Sequence, residues 1–380
     1  MNKKKNIVHV INTSFAIPYF LGEQLNYFRD KGYDESIICH HSNDLKALSE
    51  KYHFDYMETS ITRKMSIKED FISIINAYKF IRKKKADIVV GHTPKGAMIA
   101  MIASLMAGVP IRLFFRHGLI YETCHGLKKS ILISIERITS LCSTKVVCVS
   151  PYLIERSMDD RLSTRSKMTL LNIGSCNGVD AKVQFNPDRN KDPHILRGKL
   201  NIPHNAFVVG YAGRLVKDKG IEELVKAFSS LQKKKENIYL LLVGPEENKD
   251  ALSKETHHMI HSHNNIITTG LIKAHIEDYY NIMNVLVLPT HREGLGTCIL
   301  EASSMRVPVL TTSHTGSRDA IVNNETGLYI DMNPQSIEEK LTFLIDNPKT
   351  CKKMGENGRN FILKNFGQET IWQEIEKLYE

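Results

Sequence analysis

The sequence has no apolar run of the roughly 18 residues or more that a membrane-crossing helix needs. The longest candidate, AMIAMIASLMAGVPI from Ala97, breaks at Gly-Val-Pro and reads as a buried helix feeding a strand. A cleavable leader is not expected either. MNKKKNIVHVI passes from a basic start straight into a short strand, and no small-residue cleavage site follows. The seven cysteines, at 39, 124, 142, 148, 176, 298 and 351, form no Cys-x-x-Cys. That argues against a disulfide framework and for a reducing cytosol. Two phosphate-binding devices are also missing. The first strand leads into NTSFAIPYFLGEQL rather than Gly-x-Gly-x-x-Gly, so a dinucleotide-binding reading fails. No Asp-x-Asp pair is present to hold a magnesium–diphosphate, so no metal ion is expected.

Acidic residues are scarce in one half only. Residues 1–180 carry 26 Lys/Arg against 17 Asp/Glu, whereas residues 181–380 carry 25 of each. The whole net charge of +9 therefore lies in the first half, with clusters at Lys3-Lys4-Lys5, Arg82-Lys83-Lys84-Lys85 and Lys128-Lys129. Such clusters are either solvated helix faces or a surface for anionic lipid or a phosphorylated substrate. Aromatic residues are not interleaved with them, which argues against nucleic acid as a partner.

What is present is an alternation of strands and helices. At 380 residues the chain exceeds the usual size of one core, so two domains are expected. In the first half, strand-like runs at 6–11, 35–40, 87–92, 111–117 and 145–150 are separated by helical stretches at 19–31, 66–84, 95–107 and 127–141. The second half repeats the scheme. Its strands read at 207–213, 238–244, 266–270, 285–289, 307–312 and 327–330, and its helices at about 220–234, 275–283, 298–306 and 335–346. Near-continuous apolar strands between amphipathic helices predict parallel sheets covered on both faces. The polar segment from about 180 to 203 reads as a linker with a short helix, and places a domain boundary near 176–185.

In such sheets ligands bind beyond the carboxyl ends of the strands, so the residues there are the candidates. GYAGRLVKDKGIEELVKAF puts Gly213 and Arg214 at a strand tip, and Lys219 and Gly220 just before a helix. A helix start favours anions, Arg214 offers a fork and Lys219 a point charge. The pair either clamps a diphosphate or is two surface cations in a loop. THREGLGTCILEASSMR places Glu293, Gly294, Leu295 and Gly296 before a second helix that begins near Thr297, with Glu301 one turn inside it. Glu293 suits the hydroxyls of a sugar and Glu301 those of a ribose; otherwise they are a loop carboxylate and a helix-dipole partner.

In the first half, RLFFRHGLIYET sets Arg116 and His117 at a strand end, and GHTPKGAMIA sets His92, Thr93 and Lys95 at the next. These are anion- or sugar-site candidates, or structural hydrogen-bonding groups. The apolar FAIPYF after the first strand is expected to face lipid rather than a phosphate. ETHHMIHSHN holds His257, His258, His261 and His263, but no acidic or cysteine ligand has a matching spacing, so zinc is not expected there.

GRLVKDKGIEELVKAF, LLLVGP, YYNIMNVLVLPTHREGLGTCILEASSMRVPVLTT and TGL stand in the order seen in retaining glycosyltransferases of family 4, the group 1 glycosyl transferases with the GT-B fold. HTPKGAMIA, RHGLIYET, VVCVSPYL and GSCNGVD resemble the bacterial capsule and lipid-linked oligosaccharide branch.

The resemblance covers nearly the whole chain and implies two Rossmann-like domains facing a cleft: 1–180 for the acceptor, 181–366 for the donor, and a helix at 367–380 crossing back to the first. It implies that Arg214 and Lys219 bind a donor diphosphate, Glu301 the ribose and Glu293 the hexose. Backbone N–H groups at 294–297 would help hold sugar and phosphate, Leu271 and Ile272 would meet the base, and His117 would lie near the hexose. The implied reaction moves a hexose or N-acetylhexosamine from a UDP-sugar to a polyprenyl-diphosphate-linked acceptor without a metal, with the enzyme peripheral on the inner face of the membrane. A nucleotide-sugar epimerase and a non-enzymatic nucleotide-sugar-binding protein are the alternatives on the same fold. One departure stands out: many members carry a Gly-Gly pair in the first loop, where this chain has only Gly22.

Overall fold

The β-branched and leucine-rich runs form parallel strands buried on both faces, as such composition requires. A computed structural model of the chain describes residues 5–62, 66–189, 192–247 and 250–380. Lys3 and Lys4 of the first basic cluster, and residues 190–191 of the linker-like segment, lie outside the described residues. The chain divides into two units. One runs to Gly178 and takes back Gln368–Glu380; the other is Val179–Gly367.

In the first unit the described strands are β1 (Asn6–Ile11), β2 (Asp34–Cys39), β3 (Asp55–Glu58), β4 (Ile88–Gly91), β5 (Ile111–Arg116), β6 (Lys145–Cys148) and β7 (Met168–Thr169). Helices α1 (Ile17–Phe20), α2 (Gln24–Asp30), α3 (Leu45–Tyr52), α4 (Ile67–Lys84), α5 (Pro94–Met106), α6 (Gly126–Cys142) and α7 (Pro151–Asp159) connect them. The sheet order is β3-β2-β1-β4-β5-β6-β7, all parallel, so the strand order reverses between β1 and β4.

Local sequence sets the helix ends. Ser66 caps α4 by accepting from the Glu69 N–H, and acids in its first turn and Arg82, Lys83 and Lys84 in its last complement the dipole. Pro94 opens α5 and Pro151 opens α7, where a missing N–H costs nothing. The helix expected over 19–31 is two helices, α1 and α2, broken around Gly22.

The second unit holds α8 (Pro193–Lys199), β8 (Phe207–Ala212), α9 (Ile221–Gln232), β9 (Ile238–Val243), α10 (Lys254–Ser262) and β10 (Ile266–Thr268). It continues through α11 (Ile276–Asn281), β11 (Val285–Leu288), α12 (Thr297–Ser304), β12 (Val309–Thr312), β13 (Gly327–Ile330), α13 (Pro334–Asp346) and α14 (Pro348–Asn365). Its sheet order is β10-β9-β8-β11-β12-β13, with β8 and β11 paired at the reversal. This is the doubly wound architecture expected from the alternation, twice over.

The last helix, α15 (Gln368–Tyr379), belongs to the first unit. Trp372 donates its indole N–H to Asn177 Oδ1 at 2.8 Å, Tyr379 packs on Phe28, and the Lys5 ammonium donates to the Tyr379 carbonyl at 2.6 Å.

Candidate functional site

In the second unit the strand order reverses between β8 and β11, so the loops leaving these two strands open a crevice at their carboxyl ends. Each loop ends on a glycine that is also the helix N-cap. Gly220 precedes α9 and Gly296 precedes α12, both in the left-handed region, at φ 68° and 85°. Neither N-cap has a side chain to satisfy the first N–H groups, so both helix ends are left open to an anion. Gly220 is sterically required as well, because a Cβ there would sit 1.8 Å from the Pro289 carbonyl oxygen. That close approach brings the two loops together.

Lys219 and Glu293, read separately in the sequence, form one pair. The Lys219 ammonium donates to Glu293 Oε2 at 2.8 Å, to the Arg292 carbonyl at 3.0 Å and to Thr290 Oγ1 at 3.5 Å. Glu293 Oε1 accepts from the Gly294 N–H at 3.0 Å, and the Glu293 carbonyl accepts from the Gly316 N–H at 2.9 Å. Gly294, Leu295 and Gly296 are buried, while Thr297 at the helix start is exposed. The crevice thus presents a lysine–glutamate pair beside two uncapped helix starts.

Arg214 is drawn aside. It donates to Glu247 Oε2 at 3.0 Å, and although partial burial opposes its charge, Glu247 holds its pKa above the ordinary value. Sequence reasoning missed Glu247, which follows β9 and is 33 residues from Arg214. It also missed the Asp218–Arg292 pair, at 2.8 Å, which ties the two loops to each other. Burial opposes the Asp218 charge, but the Arg292 hydrogen bond and the nearby Lys219 hold its pKa below the usual carboxylate range.

Glu301 lies inside α12, buried, and accepts from the Tyr280 hydroxyl at 2.6 Å. Burial pushes its carboxyl up to about 7, against the opposing hydrogen bond from Tyr280. Tyr280 was not legible as a partner, because it comes from α11, 21 residues earlier. Leu271 and Ile272 lie in the irregular segment after β10, with Leu271 exposed.

In the first unit the candidates divide. His117 is half-buried, stacked on Phe20 with ring centroids 3.8 Å apart, and bonded to His92 at 3.2 Å. Burial lowers its pKa to about 3, and burial with the neighbouring histidines lowers that of His92 well below the ordinary value. Thr93 sits at the tip after β4 with a left-handed φ of 61°, a costly conformation for a β-branched residue. Lys95 lies 2.7 Å from an Asp70 carboxylate oxygen, so it is an ion-pair partner at the start of α5 rather than a free cation.

Arg116 is a correction. Its guanidinium is buried and donates to Glu136 at 3.0 Å and to Ser157 and Ser140 at 2.7 Å each. Successive side chains at a strand end point to opposite faces, so Arg116 enters the helix layer while His117 faces the other way. A second correction concerns FAIPYF. Ala16 and Ile17 are buried and Phe20 covers His117, so Phe15 and Tyr19 alone of its large side chains are exposed.

A third correction concerns the histidine run. Glu246, distant from it in sequence, joins His257 and His261 so that their ligating atoms lie within 4.8 Å of one another. All three are exposed, and Glu246 hydrogen bonds His261 at 2.9 Å and approaches His257 at 3.4 Å.

Residues 193–361 match the family model for glycosyl transferases group 1, and residues 7–150 match that for glycosyl transferase 4-like proteins. The chain is 34% identical to the capsular polysaccharide biosynthesis glycosyltransferase CapM of Staphylococcus aureus, over 99% of this chain and 97% of that protein. It is 25% identical to the UDP-Gal:α-D-GlcNAc-diphosphoundecaprenol α-1,3-galactosyltransferase of Escherichia coli, over 94% of this chain and 91% of that protein. Among solved structures, Anabaena HepE in complex with UDP and glucose superposes with a TM-score of 0.82 over 98% of both chains, at 17% identity, a likeness of fold.

Proposed function

The chain belongs to the group 1 glycosyl transferases and has their GT-B fold, and from that premise we propose that its second unit binds a UDP-sugar whose sugar it transfers with retention. The observation that carries this reading is the Lys219–Glu293 pair, set between the uncapped starts of α9 and α12 at the sheet's reversal. Two helix starts and a lysine favour a diphosphate, and a carboxylate beside them accepts from sugar hydroxyls. Arg214, released from Glu247, adds a second cation. Glu301 serves the ribose, and the segment of Leu271 and Ile272 the base.

The chemistry follows from charge. The leaving diphosphate gains negative charge as the glycosidic bond breaks, and Lys219 and the two helix dipoles stabilise that charge, joined by Arg214 once it leaves Glu247. Attack comes from the face on which the diphosphate leaves, with the departing phosphate oxygen taking the acceptor proton. No metal is assigned a role. The first unit serves the acceptor, with His117 at the sugar and Thr93 and Lys95 beside the neighbouring strand end.

We assign a lipid-linked sugar as the acceptor. The galactosyltransferase of Escherichia coli named above acts on a diphosphoundecaprenol-linked sugar, and the first unit carries a surface suited to lipid. Leu127, Ile131, Ile138 and Leu141 are exposed along one face of α6, and Ile67 and Phe71 are exposed on α4. Lys128 and Lys129 stand beside them. No helix among the described residues is long and apolar enough to cross a membrane. The reading is therefore of peripheral attachment on the inner face of the cell membrane.

The test is release of UDP from a panel of nucleotide sugars offered with lipid-linked acceptors. One UDP-sugar should be turned over, and Lys219→Ala should lower that turnover roughly 10²–10³-fold. Unchanged turnover in the folded variant would remove Lys219 from the diphosphate site.

A further inference from the structure

Four polar side chains cross the first unit's sheet in a single hydrogen-bonded line. The Glu35 carboxylate bonds His9 Nε2 at 2.9 Å, His9 Nδ1 bonds His92 Nε2 at 3.2 Å, and His92 Nδ1 bonds His117 Nε2 at 3.2 Å. The strands involved, β2, β1, β4 and β5, are neighbours in that order. The line climbs toward the carboxyl end two residues at a time. Glu35 is level with Ile7, and His9 is two residues further on; His9 is level with Val90, and His92 is two residues further on. A step of two keeps every side chain on one face of the sheet, which is why these residues meet. Glu35, His9 and His92 are buried, and only His117 keeps open surface.

The direction of the bonds is set at one end. A carboxylate only accepts, so His9 donates from Nε2 and, with its ring neutral, accepts at Nδ1. His92 must then donate from Nε2 and accept at Nδ1, and His117 must donate from Nε2. Each neutral imidazole has one donor and one acceptor nitrogen, so a single carboxylate fixes all three tautomers. Burial lowers the pKa of both His92 and His117, which keeps those rings neutral as the scheme requires. The nitrogen left over is His117 Nδ1, since the bond to His92 engages His117 at Nε2. Phe20 stacks on this ring, and Phe115 lies beside His92 with centroids 5.2 Å apart, so the line is walled by apolar faces.

We propose that Glu35, His9 and His92 are positioning residues that hold His117 in the tautomer with a bare Nδ1, so that His117 accepts a hydrogen bond from a sugar hydroxyl and offers it no donor. This rests on the reading of His117 as a sugar-facing residue. It explains a buried carboxylate that a purely structural account leaves without purpose: Glu35 Oε1 is buried with no hydrogen-bond partner among the described residues. A proton on Glu35 would reverse every bond in the line and turn His117 Nδ1 into a donor.

The test is the nitrogen NMR spectrum of the full chain labelled with ¹⁵N-histidine, with the His117 signals assigned by their loss in His117→Gln. The expected spectrum shows His117 protonated at Nε2 and bare at Nδ1. A proton on Nδ1, or averaging of the two tautomers, overturns the proposal. Glu35→Gln keeps the shape but offers both a donor and an acceptor. It should therefore average the His117 tautomers and lower kcat about 10-fold, the scale of lost outer-shell orientation. A folded Glu35→Gln protein with the wild-type spectrum and turnover also overturns it. The underlying reading fails separately: if His117→Ala transfers sugar at the wild-type rate, His117 does not serve the sugar, whatever its tautomer.

Discussion

Glu301 shows at the scale of one residue how a site carboxylate is tuned. Its carboxyl stands at about 7 in the fold against an ordinary 4.5, because burial disfavours its charge more than Tyr280 restores it. A carboxyl raised on folding contributes stability that is complete below its unfolded pKa and is lost as pH rises through its folded one. The shift corresponds to about 3 kcal/mol lost across that window. Glu301→Gln keeps an acceptor for Tyr280 and removes the titration. Thermal unfolding from about pH 5 to about pH 8 should therefore show the wild type losing stability relative to Glu301→Gln. Parallel curves would show that Glu301 is not held protonated by burial.

Single residues were also the most unevenly legible part of the site. Lys219, Glu293 and Glu301 could be picked out because each stands where a strand ends or a helix begins. That Lys219 and Glu293 touch could not be read, since 74 residues separate them. Arg116 and His117 could not be told apart as site and structural groups, although a strand's alternation sends them to opposite sides.

At the scale of elements, the site depends on how closely two loops approach. Gly220 combines a left-handed backbone with contact against Pro289, so no side chain fits without moving the strand β11 loop. Gly220→Ala should destabilise the protein by more than about 1 kcal/mol in denaturant unfolding, and should also weaken UDP binding. A variant of wild-type stability and affinity would show that the two loops are not held together there. Elements were legible where their apolar pattern was strong. Strand β3, whose residues are mostly exposed, carries no such pattern. Helix α14 escaped notice because Gly355 and Gly358 interrupt it, although Gly355 packs against the Arg306 backbone.

At the scale of the molecule, charge and apolar surface fall on the same unit. The sequence excess of +9 lies in residues 1–180, nearly all of which belong to the first unit, and the exposed apolar side chains of α4 and α6 belong to that unit as well. Binding to vesicles containing anionic lipid should therefore weaken as salt screens the basic residues. The apolar contribution of Leu127 and Leu141 should persist at high salt and be lost in the double substitution to Ser. Sedimentation with vesicles measures both, and no binding at any ionic strength would remove the membrane reading. The doubled architecture itself was legible from alternation alone. The strand order that creates a crevice between β8 and β11 was not, because pairing of distant strands leaves no local mark.

The central claim is that the Lys219–Glu293 pair and its two helix starts form the diphosphate site of a UDP-sugar. Calorimetric titration of UDP into the wild type and Lys219→Ala tests it most directly. The account predicts binding to the wild type and at least roughly tenfold weaker binding to the folded variant, the scale of one charge-assisted contact. Equal affinity for UDP in the two proteins would contradict it.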